Sequence, residues 1–279
     1  MKSYKEIVLR PGKEESVKRF HPWIFSGAIA FLPEGLEEGD PVRLLAADRS
    51  FLGVGHYQPG SLAVRIISFE ETRIDFSFYA RRIASAYALR CRMRLVRDDN
   101  TIYRLVHGEG DGLPGLIIDI YGATAVVQAH SVGIHNDREA IAEALKAVYP
   151  EGALRHIYYK SEGTLPFKAG IDSGDGYLLG GKDMEEVAIE NGLRFRIDWE
   201  KGQKTGFFID QRENRVLLQH YASGCRVLNM FSYTGGFSVY ALRGGAVAVD
   251  SVDSSSKAIS ITEQNIALNF EGETRHSTS

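Results

Sequence analysis

The stretch from Arg226 to Asp253 constrains the fold more than any other part of the chain. Arg226-Val-Leu-Asn-Met-Phe-Ser-Tyr-Thr-Gly-Gly-Phe237 reads as a strand entering a glycine turn, residues 238–242 as a helix, and residues 246–252 as a second strand ending at Asp253. Strand, glycine turn, helix and strand in that order make an α/β unit. In open α/β sheets the ligand lies outside the carboxyl ends of the strands, where the turn exposes backbone N–H groups and lets a ligand approach closely. An acid closing the second strand is placed to accept both hydroxyls of a ribose. Thr234-Gly-Gly236 alone is a weak signal, since paired glycines after a strand are most often only a tight turn. With Asp253 it becomes a nucleoside-cofactor site. These residues leave NAD and S-adenosylmethionine both open, although the missing spaced GxGxxG turn leans away from the dinucleotide.

At 279 residues the chain is expected to hold two or three compact units of about 100 residues each. Apolar residues at 44% and charged ones at 25% supply ordinary cores and argue against wholesale disorder. The longest apolar runs are strand-sized and far short of the roughly 20 residues a membrane span needs. The N-terminus, Met1 to Leu9, shows neither an apolar secretory core nor a cleavage site, so a cytoplasmic protein with no membrane partner is expected. Cys91 and Cys225 are the only cysteines and show no ligand spacing, which argues against both a disulfide framework and a metal site. With 33 basic and 36 acidic side chains, a nucleic-acid partner would have to be met by a local patch.

Upstream, residues 1–72 alternate short apolar runs with turn residues, as a small β-barrel does. His21-Pro-Trp-Ile-Phe25 sets aromatics beside a histidine and reads either as a barrel corner or as an RNA-stacking site. Residues 76–97 lack Gly and Pro and carry Tyr79, Ile83, Tyr87, Cys91 and Leu95 at four-residue spacing, which predicts one amphipathic helix. Arg81 and Arg92 fall on its polar face, as solvated side chains or as phosphate contacts. Two strands around Tyr121-Gly122-Ala123, a helix over residues 136–148 with Asn136 as N-cap, a strand at 156–159 and a glycine-rich loop at 161–181 complete a small α+β region over residues 76–185. Strands at 185–189 and 193–197 flank Asn191-Gly192 as a hairpin, and a helix follows over residues 211–221.

Several of these runs resemble one family. Gln203-Lys-Thr-Gly-Phe-Phe-Ile-Asp-Gln-Arg-Glu-Asn-Arg215, Val227 to Ser238 and Ser251-Val-Asp-Ser-Ser255 are similar to class I S-adenosylmethionine-dependent methyltransferases that modify large-subunit ribosomal RNA at cytosine C5. Gly108 to Asp119 resembles the family's central-domain signature, and His21 to Phe25 its N-terminal PUA domain. The likeness covers nearly the whole chain in order. It implies a multidomain α/β architecture: a PUA-like barrel over 1–72, a central α+β domain over 76–185, and the first part of a Rossmann-like methyltransferase domain over 186–279. It implies S-adenosylmethionine as cofactor, with Phe207, Asp210, Arg212, Asn229, Phe231, Ser232, Tyr233, Thr234, Gly235, Gly236, Asp253 and Ser254 as cofactor-binding residues. The candidate residues for ribosomal RNA are His21 and Trp23, from the PUA likeness, and Arg81 and Arg92, from the polar face of the predicted helix; a homodimer is the other partner considered. By residue type alone, Phe207 and Phe208 read as core, and Arg212 as a surface partner of Asp210 or Glu213.

A doubly wound sheet has about six strands, and the stretch from Arg226 onward has room for two or three. The polar end, Gly272 to Ser279, shows no packing pattern. Cytosine C5 is a poor nucleophile until a thiolate has added to C6, so the resembled enzymes need a cysteine in the base pocket. Cys225 precedes the first strand, remote from its carboxyl end, and Cys91 sits on the predicted apolar stripe, so both read as buried small hydrophobes. No catalytic residue is assigned. The chain is expected to hold the cofactor half of an enzyme without its catalytic half, and so to bind the cofactor weakly or not at all. Two rivals remain: a non-catalytic RNA-binding protein and a nicotinamide enzyme.

Overall fold

A computed structural model describes residues 4–166, 170–181 and 187–279. Met1 to Ser3, the middle of the predicted loop at 161–181, Glu185 and Glu186 of the predicted hairpin strand, and the boundary between residues 185 and 186 lie outside the described residues. Within them the chain forms a multidomain α/β protein of two compact units. One comprises residues 1–92, 104–119 and 123–181, and the other residues 93–103, 120–122 and 182–279.

The first unit opens with β1 (Lys5–Leu9), α1 (Glu15–Lys18), β2 (Trp23–Phe25), β3 (Ile29–Phe31), β4 (Pro41–Leu45), β5 (Phe51–Tyr57) and β6 (Leu62–Ser68). They make one six-stranded sheet in the order β2-β6-β5-β4-β1-β3. Its pairs are antiparallel except β1 with β4. Ile7, Leu9, Ile24, Val42, Leu44, Val64 and Ile66 form its core. There follow α2 (Phe76–Arg92), β7 (Ile102–His107), β8 (Leu116–Tyr121), β9 (Thr124–Ala129), α3 (Val132–Asn136), α4 (Arg138–Val148), β10 (His156–Tyr159) and β11 (Gly176–Leu179). The strands form a five-stranded sheet in the order β11-β10-β9-β8-β7, and α2 packs on α4.

Around α2 and α3 the structure departs from the sequence expectation in three ways. The predicted helix over 76–97 ends at Arg92, and Arg94 takes a positive φ of 55°. The Asn100 side chain donates to the Leu95 carbonyl at 2.6 Å, and Arg97 pairs with Asp99 at 2.7 Å, so local side-chain bonds replace the helical ladder. Cys91 is exposed, because four-residue spacing overshoots the 3.6-residue turn. The buried face instead runs through Tyr79, Ile83, Ala86 and Arg90, whose guanidinium is held by Asp111. Asn136 closes α3 and caps nothing; the cap that matters is Ser131, whose hydroxyl accepts the Ile134 N–H at 3.4 Å.

In the second unit β12 (Val187–Glu190) and β13 (Leu193–Arg196) form an antiparallel hairpin. Asn191 and Gly192 both have positive φ, 49° and 79°, as a type I′ turn demands. A short 3₁₀ turn at Ile209–Gln211 leads into α5 (Arg212–Tyr221), and then come β14 (Arg226–Met230), α6 (Gly236–Arg243), β15 (Ala248–Val252), α7 (Ser256–Asn269) and β16 (His276–Thr278). The last three strands are parallel in the order β14-β15-β16. The polar C-terminal stretch, which shows no packing pattern as a sequence, supplies β16. Its His276 Nε2 lies 2.9 Å from Ser251 Oγ, so ladder bonds and a buried hydroxyl seat it in place of an apolar alternation. Cys225, expected to be buried, is exposed just before β14. Leu228 and Met230 on one face of β14 are also exposed, and among the described residues β14 pairs only with β15.

Candidate cofactor site

The carboxyl ends of β14 and β15 open onto a backbone turn that the sequence holds in an unusual shape. Phe231 and Tyr233 both take positive φ, 59° and 49°, before Gly235 at 75°. A Cβ on Gly235 would stand 2.6 Å from Thr262 Cγ2, so α7 approaches too closely for any other residue. The Thr262 hydroxyl donates to the Tyr233 carbonyl at 3.0 Å and Asn265 Nδ2 donates to the Thr234 carbonyl at 2.8 Å. Asp253 completes the clamp: Oδ2 accepts the Tyr233 N–H at 2.8 Å and Oδ1 the Ser255 N–H at 3.0 Å.

Two cavities flank Tyr233 and share it and Thr234 as walls. One, of about 290 Å³, is lined by Phe207, Phe208, Gln211, Arg215, Ser232 and Gly236 among others. The other, of about 230 Å³, is lined by Asp198, Gln203, Asp253, Ser255, Lys257 and neighbours. The Tyr233 hydroxyl accepts the Gln203 N–H at 3.0 Å and donates to the Gly206 carbonyl at 3.2 Å, tying the 198–206 loop to the turn. Burial raises the Tyr233 phenol above its ordinary pKa, so it stays a neutral donor. Lys257 is paired with Asp198.

The residues singled out from the sequence fall into three groups. Phe207, Phe231, Ser232, Tyr233, Thr234, Gly236 and Asp253 line one cavity or the other. Phe207 is at once core and wall, packing on Phe195 with ring centroids 5.1 Å apart. Asn229, Gly235, Asp210, Ser254 and Arg212 lie outside both linings. Asn229 Nδ2 donates to Ser238 Oγ at 2.9 Å, and Asp210 and Ser254 are exposed. Arg212 is buried; its partner is neither Asp210 nor Glu213 but Glu190, at 3.3 Å. Arg215 shares that carboxylate through Nε and Nη2, each at 2.9 Å. Sequence reasoning missed Glu190, Gln211 and Arg215, and only the three-residue spacing of the arginines on α5 could have signalled them.

In the first unit Trp23 and His21 are exposed neighbours, their rings edge-on at 5.9 Å. Trp23 Nε1 donates to Glu109 Oε1 at 2.9 Å, so the indole is oriented by a carboxylate. Arg81 and Arg92 are exposed on α2.

The fit of a nucleoside cofactor can be judged from these atoms. A carboxylate offers about four lone-pair sites, and Asp253 uses two on the N–H groups of Tyr233 and Ser255, leaving two for a pair of ribose hydroxyls. Among the described residues Ser232 Oγ is buried with no partner. The crevice therefore accommodates such a group. Residues 161–278 match the family of S-adenosylmethionine-dependent methyltransferases, and residues 7–69 match the PUA-like domain. Residues 161–278 carry the domain of the S-adenosylmethionine-dependent methyltransferases. The chain is 38% identical over 266 residues to ribosomal RNA large subunit methyltransferase I of Alteromonas mediterranea, and 42% identical over 267 residues to that of Aeromonas salmonicida. These alignments cover 95% and 94% of the chain, and in both cases the chain spans 66% of the relative's length. Among solved structures it superposes on a SAM-dependent methyltransferase from Streptococcus mutans with a TM-score of 0.80 at 25% identity, covering 98% of this chain and 70% of that one. A methyltransferase complexed with SAH superposes at a TM-score of 0.81 and 25% identity, covering 98% of this chain and 69% of that one. No helix among the described residues is long and apolar enough to cross a membrane.

Proposed function

We propose that the whole protein to which this chain corresponds transfers a methyl group from S-adenosylmethionine to large-subunit ribosomal RNA, at C5 of a cytosine. The observation that carries the reading is the crevice at the ends of β14 and β15, with Asp253 clamping its turn beside two cavities. The names of the relatives supply the RNA, and the sequence resemblance alone supplies the C5 atom. When bound, the cofactor supplies an electrophilic methyl group. The chain's own residues do the holding: Asp253 offers acceptors to the ribose, the Tyr233 phenol keeps the 198–206 loop against the turn, and Phe207 and Phe231 wall the crevice.

Neither cysteine serves as the thiolate that C5 chemistry needs. Cys225 precedes β14, at the end of the strand opposite the crevice, and Cys91 belongs to α2 of the first unit. The unpaired edge of β14 and its exposed Leu228 and Met230 favour completion of the sheet there. The base-binding side of the site belongs to that completing sequence. We place RNA on the first unit, through His21, Trp23, Arg81 and Arg92, with domains at 1–72, 76–185 and 186–279.

Incubating the whole protein with radiolabelled S-adenosylmethionine and ribosomal RNA tests the reading, with mapping of the labelled base. Label at C5 of a cytosine supports it. RNA binding without label supports the non-catalytic rival, and label on another atom overturns the C5 assignment alone.

A further inference from the structure

Two aromatic rings on β2, an edge strand of the barrel sheet, face outward. Trp23 is 39% and Phe25 52% exposed, while Ile24 between them enters the barrel core, so the rings share one outer face about 6–7 Å apart along the strand. Trp23 is tied down twice. Its Nε1–H donates to Glu109 Oε1 at 2.9 Å, and its backbone N–H donates to His21 Nδ1 at 3.2 Å. The second bond puts the proton of the neutral His21 ring on Nε2, which leaves a donor beside the indole. An exposed indole N–H finds water without help, so a carboxylate brought to it from the segment after β7 serves to orient the ring. Arg65 stands directly opposite Trp23 on β6, and Glu109 lies within electrostatic reach of both Arg65 and His130. The negative charge of Glu109 is thus balanced locally. What the face offers a ligand is flat, preoriented π surface. Unpaired RNA bases stack on such rings, whereas a duplex keeps its bases stacked on one another and is met through its backbone and shape.

We propose that β2 is a stacking platform for unpaired RNA, taking one base on Trp23 and the next on Phe25, with Glu109 as the positioning residue of the first. The inference rests on the RNA reading of the first unit and narrows it from RNA to unpaired bases. It also separates two roles within that unit: uncharged stacking at β2, and phosphate contact at Arg81 and Arg92 of α2.

Titration of the whole protein with an unstructured oligoribonucleotide, followed by tryptophan fluorescence and by filter binding, tests this. The part of the emission change that disappears in Trp23→Phe reports Trp23, since Trp199 is only 2% exposed. The single strand should produce that signal, and the same strand annealed to its complement should not. Trp23→Ala and Phe25→Ala should each weaken the single strand about fivefold or more, without altering the slope of log affinity against log salt. Glu109→Ala should weaken it as well, and Glu109→Gln, whose amide oxygen still accepts the indole N–H, should restore it. Affinities unchanged in both aromatic variants, or a Trp23 signal that the duplex produces equally, overturn the platform and leave the RNA reading intact. If neither RNA binds the unchanged protein, the RNA reading fails and this inference with it. A dimer that Phe25→Ala dissociates in sedimentation, with RNA affinity intact, assigns the face to a second copy of the chain and overturns the proposal. Should circular dichroism show Trp23→Ala unfolded, the fluorescence comparison with Trp23→Phe decides alone.

Discussion

Asp253 Oδ2 accepts the backbone N–H of Tyr233 at 2.8 Å, so the acid at the end of β15 holds the turn that follows β14. Tyr233 carries a positive φ of 49°, which an L-residue adopts only at a cost. The carboxylate helps to offset that cost, and its other oxygen secures the entry to α7 through Ser255. Structural support and ligand recognition thus meet in one side chain.

Asp253→Ala should therefore do two things together. In the whole protein it should weaken S-adenosylhomocysteine binding by at least about tenfold and lower the unfolding free energy by about 2–3 kcal/mol, as expected for hydrogen bonds to a charged group. Calorimetry and urea titration read the two effects. RNA affinity measured by filter binding should stay unchanged, and an unaltered nucleoside affinity would sink the ribose role.

Glu190→Gln leaves two buried guanidiniums facing a neutral amide. Removing one partner of a buried ion pair costs about 3–5 kcal/mol, so the urea midpoint should fall sharply. At the exposed Arg226, whose 3.9 Å ion pair with Asp250 is lost in Arg226→Gln, stability should change by less than about 0.5 kcal/mol. Equal losses in the two variants would show that the triad has no special weight.

Hydrogen bonding from Arg275 holds the Glu273 carboxyl down to about 2, well below its ordinary value of 4.5. A carboxyl depressed in the folded state stabilises the protein above its unfolded pKa, and that contribution disappears as pH falls through the folded value. Thermal melts should thus lose stability between about pH 4.5 and about pH 2, and Glu273→Gln should flatten that segment of the profile. A variant with the same slope as the unchanged protein would contradict the assignment.

For Arg81→Gln with Arg92→Gln, ribosomal RNA affinity should fall and its dependence on salt should weaken. For every phosphate no longer neutralised, the slope of log affinity against log salt should diminish by about 0.7 for a single strand and about 0.9 for a duplex. Affinities measured across a salt series check this, and an unchanged slope would move the RNA surface elsewhere.

The order of elements from Arg226 to Asp253 was legible in the letters, because strand, glycine turn and acid are separated by distances that local geometry fixes. The Asn191-Gly192 hairpin was legible for the same reason, two adjacent positions tolerating positive φ. The buried face of α2 was not, since four-residue spacing imitates a stripe that a 3.6-residue turn carries away from Cys91 and toward Arg90. β16 was invisible, because a three-residue polar strand owes its place to the ladder of β15 and to Ser251.

Sequence by itself determined the α/β unit, its glycine turn and the acid at the strand end, all of which depend on residues near one another in the chain. Only the tertiary structure decided that Glu190 lies beneath two arginines of α5, that Ser232 has no partner among the described residues, and that Tyr233 parts two cavities. Burial and charge pairing between distant segments are properties of the packed chain, and no local pattern of residues encodes them.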